Sequence, residues 1–548
     1  MIRSFVGQLA PETVALFFLG MVVLAGILLK LQVSMKIARL GSRAPRIRFY
    51  LPYAIDFMYR TIKAGNTGQR LTYWEDTILV SNEASDLNSP KTTELDAGIS
   101  NRMIFTKDPV NIKAVLADQF ADYGRGVSFH RDSREFLGDS IFNTDGESWY
   151  RSRNLIRPMF ARERLVDTEI FEDHVQRLIS CLAGDTSPNG SRVVDIGPLV
   201  FRYSLDAATD YLLGQGTDSL QNSQTMFADA FQKVLHHQVV IYRMSGFNFI
   251  LPKAQFRRNL KVMDDFLKPY IDRTLNLSAA ELDRKLSKKD TFLDSLAGFT
   301  RDRQVIRDQL VAVLLAGRDT TAGTLAFCIF ELSRNPDVVA KLRQEINSQL
   351  GLDPNSRRPT YADLKEMKYL AAVLSETMRL YPAVPFNIRT ALRDTTLPRG
   401  GGPDGLSPIG ILANTPIFYS TILMHQDPTN YGPPGSPNYF DPKKFLPQRW
   451  LSGWQPKPWH FIPFNGGPRI CLGQQFALIE MGYTIVRVIQ AFKQIIAHPS
   501  KGKDKVDDPV LRVEITLSPG SELNCAFVKD DESRVQVSVQ LIPQARVK

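Results

Sequence analysis

Phe464-Asn465-Gly466-Gly467-Pro468-Arg469-Ile470-Cys471-Leu472-Gly473 is the stretch on which the reading of this chain turns. A single cysteine sits in a glycine-rich loop, and a helical pattern starts at Gln474. No second cysteine lies nearby, so the loop is not half of a CxxC metal clip. A helix N-terminus helps to hold a thiol as thiolate. Gly466, Gly467 and Gly473 permit backbone approaches that a Cβ would block, and a flat, bulky prosthetic group needs such clearance. Taken alone, a cysteine of this kind is as readily a buried structural thiol. The full spacing Phe-x-x-Gly-x-Arg-x-Cys-x-Gly separates the two readings.

Upstream, three further patterns recur at helical spacing. Trp149 and Arg153 lie four apart in Trp149-Tyr150-Arg151-Ser152-Arg153, so on a helix they share a face. Asp308 to Arg334 is a long helical pattern that stops before Asn335-Pro336. Inside it, Ala316-Gly317-Arg318-Asp319-Thr320-Thr321 interrupts an apolar rod. A mid-helix glycine costs about 1 kcal/mol against alanine, and threonine hydroxyls bond back to the preceding turn. A kink or widened turn is expected there. Asp363 to Tyr381 is another helix, with Met367, Leu370, Ala371, Leu374 and Met378 as its buried face. On it, Glu376 and Arg379 are adjacent at i and i+3. Such a pair is ordinarily a surface contact worth less than about 1 kcal/mol. Arg449 follows later, in Phe445-Leu446-Pro447-Gln448-Arg449-Trp450.

These motifs, in this order, resemble those of the cytochrome P-450 haem-thiolate monooxygenases, and the resemblance covers nearly the whole chain. It implies a mainly α fold with a smaller β-rich lobe behind an N-terminal transmembrane helix. It implies haem b held by Cys471 as the metal ligand, in a loop that includes Phe464 and Arg469. Trp149, Arg153, Arg389 and Arg469 would pair with the haem propionates, since Arg matches a carboxylate bidentately. Asp319 and Thr320 would relay protons beside bound dioxygen. Glu376, Arg379 and Arg449 would form a buried structural triad; Gln448 departs from the Glu usual before that Arg. A cysteine thiolate opposite dioxygen favours O–O cleavage, giving an oxidant able to attack unactivated C–H bonds. Electrons would come from NADPH through a flavoprotein reductase, with Arg151, Arg157, Lys443 and Lys444 available to face it.

Three details resemble the fungal and yeast hydroxylases of alkanes and fatty acids: Leu315 to Thr321, Asp394-Thr395-Thr396-Leu397-Pro398 with its glycine-rich insert, and Phe464 to Ala477. They imply terminal (omega) hydroxylation of a lipophilic substrate. Oxidation of a fungal secondary metabolite is the alternative within the family. A reductase-independent peroxide isomerase and a non-enzymatic haem carrier are rivals outside it. The substrate pocket is expected among residues 120–140, 236–261, 384–388 and 517–523.

Composition sets the frame. The chain has 548 residues and a formal net charge of +10. With no linker or repeat, it reads as one large domain despite its length. Its four cysteines (Cys181, Cys328, Cys471 and Cys525) are widely spaced, which suits a reducing compartment. The charge points to an anionic membrane or an acidic protein, and no nucleic-acid motif accompanies it. Thr13 to Leu29 carries no charge and spans about 26 Å as a helix, enough for the thin endoplasmic reticulum membrane. Lys30, Lys36, Arg39, Arg43, Arg46 and Arg48 follow it, which places the bulk of the protein in the cytosol. Residues 1–48 are therefore read as anchor and basic hinge, with only Pro45 and Pro52 near the hinge, and 49–548 as the catalytic domain.

The remaining expectations are local. Residues 50–110 read as a small β-rich lobe and 120–145 as a long loop with one short helix. Residues 165–300 read as helices. Within them Val239 to Tyr242 and Phe247 to Leu251, followed by Lys253, Arg257, Arg258 and Lys261, suit either a membrane-dipping segment or core helices. His236-His237 has no zinc spacing. Gly400 to Gly405 reads as a turn, and the tail as a hairpin around Ser518-Pro519-Gly520-Ser521.

Overall fold

The helix Arg303–Arg334 is the axis on which the other elements are assembled. Asp302 caps its start by accepting from the amides of Gln304 and Val305, and it ends at Asn335, ahead of Pro336. It is buried on every side along most of its length, as a helix apolar all round must be. Its first half, Ile306 to Leu315, belongs to one apolar core with Phe136, Phe231 and Met263. Its second half, Ala322 to Leu332, belongs to another with Leu370, Val373 and Ile485. The polar turn 316–321 falls at the junction of the two. The computed structural model describes residues 11–79, 90–98, 102–160, 168–184, 193–222, 226–244, 248–287, 291–353, 356–433, 435–436 and 439–529.

Around this axis pack Ile196–Leu213, Lys368–Leu380 and Gln474–Ala491, the last following the cysteine loop. The helix expected over 363–381 is two pieces, Tyr361–Glu366 and Lys368–Leu380. Met367 breaks it with extended backbone, and Glu345 accepts from the amides of Tyr369 and Leu370 at the new start. The break rotates the face, so Ala371 is exposed while Ala372 and Val373 are buried.

The β-rich part lies only partly in its expected place. Residues 52–78 are mainly helical, including Ile55–Asn66. The lobe is a five-stranded sheet with the spatial order Thr92–Asp96, Arg102–Thr106, Pro416–Ser420, Phe386–Ala391, Tyr123–Gly124. Two of the five strands, Thr92–Asp96 and Arg102–Thr106, lie within 50–110; the other three come from 123–124 and from beyond 385, which local alternation over 50–110 could not reveal. Gly126–Leu137 is the short helix of the next segment. Thr395–Gly401 and Ser407–Ile411 pair across the glycine-rich turn. The tail hairpin joins Leu511–Val513 to Leu517–Pro519 and turns at 514–516, earlier than expected.

At the N-terminal end, Pro11–Leu40 is one helix, longer than the uncharged span within it. Its side chains from Leu16 to Leu29 stand exposed, whereas Ile37 is buried. The chain then joins the sheet region: Ser42 pairs with Ile409 and Arg46 with Glu94. Glu94 is fully buried and takes Arg43 at 2.8 Å as well as Arg102. Two of the basic residues after the span, Arg43 and, at 3.7 Å, Arg46, therefore serve an internal carboxylate, and these contacts cross the expected boundary near residue 48. Val239 and Ile241 lie in the core, while Phe249 and Ile250 are exposed; Phe247 is outside the described residues.

Glu480 sits on the helix after the cysteine loop, 2% exposed, and its Oε1 has no hydrogen-bond partner among the described residues. Burial pushes its carboxyl up to about 8 from 4.5. A carboxyl raised in the fold contributes its full stability below the unfolded value and loses it as pH rises through the folded one. Glu480→Gln is therefore expected to flatten the fall in Tm between pH 4.5 and pH 8 relative to the parent protein. Parallel Tm curves for the two proteins across that range would contradict this.

Candidate active site

Two contacts fix the cysteine loop. The amide of Cys471 donates to Phe464 O at 3.0 Å and closes it. Gly467 has φ +66°, and a Cβ there would lie 1.9 Å from Leu116 O, so only glycine fits. Gly473 is different: a Cβ would approach nothing closer than Phe160 at 3.5 Å. Its protein neighbours do not require a glycine. Cys471 has free surface, yet desolvation by surrounding protein is the largest influence on its thiol. The two agree if the sulfur faces an interior space. Burial raises the thiol, while the Gly473 amide and Arg153 pull it back toward thiolate.

Arginines gather around this loop. Arg469 Nη2 donates to Asp145 Oδ1 at 2.7 Å and to Thr144 O at 2.9 Å, and its guanidinium lies 4.6 Å from the centre of the Trp149 ring. Arg153, on the helix Gly146–Ile156 with Trp149, donates to Ile470 O at 3.2 Å. Arg389, on the strand Phe386–Ala391, is 2% exposed and donates to Ile388 O at 2.8 Å. Arg125 joins them, donating to Asn387 Oδ1 at 3.1 Å. Burial holds the Arg125 guanidinium down to about 9, helped by repulsion from Arg389 and Arg469. Arg469 is held at about 10, by burial first and then by Arg389. The Nε atoms of Arg125 and Arg469 are buried without partners among the described residues. Of the four guanidiniums, that of Arg469 alone is paired with a carboxylate, Asp145, among the described residues. Such a cluster is costly unless further anions complete it.

Arg125 and Asp145 were not identified from sequence. Asp145 accepts from the amides of Arg125 and Gly126, both at 2.8 Å, so one carboxylate ties the 124–126 loop to the cysteine loop. A Cβ at Gly124 would lie 2.6 Å from that carboxylate. Gly124-Arg125-Gly126 was the available signal, a cation between two glycines, and it reads only as a loop without this partner.

Glu376, Arg379 and Arg449 meet in the interior, each at most 1% exposed. Arg379 donates to both carboxylate oxygens of Glu376, at 2.8 and 2.9 Å, and Arg449 Nε to Oε1 at 3.0 Å. Trp450 Nε1 and the amide of Leu446 also donate to Glu376. The second positive charge is accommodated by the carbonyls of Pro442, Asp441 and Lys444 and by the faces of Tyr431 and Phe440. Gln448, the departure from the usual Glu, donates instead to the Tyr369 hydroxyl at 3.1 Å.

The central helix is α-helical at every residue through 316–321, so the widened turn expected there is absent. Thr320 Oγ1 donates to Ala316 O at 2.6 Å, the expected back-bond. Asp319 is buried; burial pushes its carboxyl up, Arg318 opposes this and Glu514 adds to it. Arg318 Nη1 lies 3.0 Å from Asp319 Oδ1, an ion pair not aligned as a hydrogen bond. Asp319 and Thr320 share no direct side-chain hydrogen bond among the described residues. His236 pairs with Glu514, and no group of His, Cys, Asp and Glu suited to a metal occurs among the described residues.

Residues 98–520 match the family model described as cytochrome P450. The chain is 43% identical over 537 residues to cytochrome P450 monooxygenase pvhE of Talaromyces variabilis, covering 95% of this chain and 96% of that protein. It is 39% identical to cytochrome P450 52A1 of Candida tropicalis, covering 81% and 80% of the two chains. It is 41% identical to cytochrome P450 52A5 of Candida maltosa, covering 76% and 80%.

Glu376→Gln removes the anion shared by two buried arginines. Its expected cost is about 3–5 kcal/mol, the range for breaking a buried pair from one side, read as a lower urea midpoint with an unchanged m-value.

Proposed function

This chain belongs to the cytochrome P450 family, and we propose that it is a membrane-bound monooxygenase acting at the terminal (omega) C–H bonds of n-alkanes or fatty acids. The observation that carries the haem-thiolate reading is the cluster of Arg125, Arg389, Arg469 and Arg153 beside the open side of Cys471. It offers positive charge, with buried guanidinium nitrogens still lacking partners, to a dianionic group whose metal takes a thiolate. Haem b fits these residues: its propionates would meet the arginines, Trp149 would pack beneath Arg469, and the room beside Gly473 would admit its plane. When bound, haem supplies oxygen activation.

The chain's own residues then have defined tasks. Cys471 supplies the thiolate, favoured by the Gly473 amide and Arg153. The Asp319 carboxyl, shifted upward by burial and opposed by the adjacent Arg318, would be the protonatable group of the relay. Thr320 gives its own proton to Ala316 O and so presents oxygen lone pairs as an acceptor. Pro11–Leu40 would anchor the protein in the endoplasmic reticulum membrane, with the exposed Tyr50, Leu51, Tyr53, Ile55 and Tyr59 beside the lipid surface. An NADPH-fed flavoprotein reductase would dock on a basic face that includes the exposed Arg151, Arg157, Lys443 and Lys444. The substrate reading rests on the motifs at 315–321, 394–398 and 464–477.

Cys471→Ala is expected to abolish the red-shifted absorption band of the reduced, carbon-monoxide-bound protein; a retained band overturns the assignment. Thr320→Ala is expected to keep NADPH consumption while product falls, and undiminished coupling would exclude the relay. Dodecane or lauric acid should shift the haem absorption of the purified enzyme, whereas a response to a polycyclic compound alone would favour a secondary-metabolite oxidase.

A further inference from the structure

Arg70 and Arg243 form a second cationic pair, outside the cluster around Cys471. Arg70 begins the short helix after Asn66, and Arg243 ends the helix Met226–Arg243. Both guanidiniums converge over Gly65: a Cβ there would lie 2.9 Å from Arg70 Nη2 and 3.2 Å from Arg243 Nη2. The Nε atoms of both are buried without hydrogen-bond partners, and neither arginine has a carboxylate within ion-pairing distance among the described residues. Arg243 Nη1 reaches Asn66 Oδ1 at 3.3 Å.

The surroundings connect this pair to the distal side of the central helix. Gly68 abuts Val510 at the foot of the hairpin Leu511–Pro519. The other end of that hairpin rests on the central helix, where Leu517 O would lie 2.4 Å from a Cβ at Gly323, one turn beyond Thr320. Glu514, in the hairpin's turn, acts electrostatically on Arg70, Arg243 and Asp319 alike. Two guanidiniums with one more distant carboxylate leave room for a single negative charge, and their planar forks match a carboxylate.

We infer that Arg70 and Arg243 form a receptor for the carboxylate of a long-chain fatty acid. This rests on the fatty-acid reading of the substrate and narrows it. The acid is held at its polar end, so its methyl end is the part free to extend toward the turn 316–321. An alkane has nothing for the receptor to hold.

The test uses the full-length haem-loaded enzyme and the substrate-induced shift of its haem absorption. Arg70→Gln and Arg243→Gln are each expected to weaken lauric acid binding by about tenfold, in line with loss of a charge-assisted hydrogen bond, while dodecane binding stays unchanged. Unchanged dodecane binding also shows that the variants are folded. The parent enzyme should bind methyl laurate as weakly as the variants bind the acid. Unaltered laurate affinity in both variants overturns the receptor. So does unaltered laurate affinity combined with weaker binding to anionic phospholipid vesicles, which would assign the pair to a lipid head group. If neither laurate nor dodecane shifts the spectrum of the parent enzyme, the hydroxylase reading itself fails and the receptor falls with it.

Discussion

One carboxylate joins the parts of the site that sequence leaves far apart. Asp145 binds Arg469 in the cysteine loop and, at the same time, the backbone amides of Arg125 and Gly126. Asp145 also precedes the helix that carries Trp149 and Arg153. The loop that presents the sulfur, the loop that presents Arg125 and the helix beneath Arg469 therefore have a common fixed point. A buried or half-buried carboxylate with two amide donors and an arginine is well satisfied. Four arginines around one such anion are not, and that imbalance is what the proposed propionate contacts would relieve.

The same counting changes how the net charge is understood. The excess of ten positive charges suggests a basic surface. Part of it lies inside. The cluster around Cys471 carries four arginines against Asp145, and the Glu376 site carries two arginines against one glutamate. Arg43 and Arg102 answer to the buried Glu94. Exposed lysines and arginines remain for a membrane or an acidic partner, but composition alone overstates their number. The two internal surpluses also differ in kind. At Glu376 carbonyls and aromatic faces meet the extra charge, with Arg449 Nη1 left without a partner among the described residues. Near Cys471 the Nε atoms of Arg125 and Arg469 still lack partners.

What the sequence revealed follows the range of the interactions involved. Trp149 with Arg153, Glu376 with Arg379, and the residues of the cysteine loop are neighbours within one turn or one loop, so spacing exposes them. Arg449 and Arg389 came only through resemblance, because their partners lie on other elements. Arg125 and Asp145 were missed: the Arg469–Asp145 contact spans 324 positions, and nothing local at either end announces it. The same limit explains the misplaced lobe. Residues 50–79 have the short apolar runs of strands, but their burial comes from Phe105 packing on Phe57 and Trp74 and from Phe386 on Trp74, which helices accommodate equally well. Met367 shows a subtler failure. Apolar periodicity continued through it, and the break became visible only once Glu345 was seen capping the second helix.

The central helix shows why local chemistry and global position must agree. A turn containing Gly317, Asp319 and two threonines would be a liability within either apolar core. It falls where the two cores meet, between Leu315 and Ala322. Thr320 and Thr324 satisfy their hydroxyls against the helix's own carbonyls, and Ser204 of a neighbouring helix donates to Arg318 O. These bonds leave the α-helical path intact, so the polar groups are tolerated without the distortion that their identities suggest. Asp319 Oδ1 and Arg318 Nε remain without hydrogen-bond partners among the described residues, and Glu514 acts on the carboxyl from the hairpin. A buried carboxyl left in that state costs stability. Its position where the two cores meet is what supports the proposed chemical role of this turn.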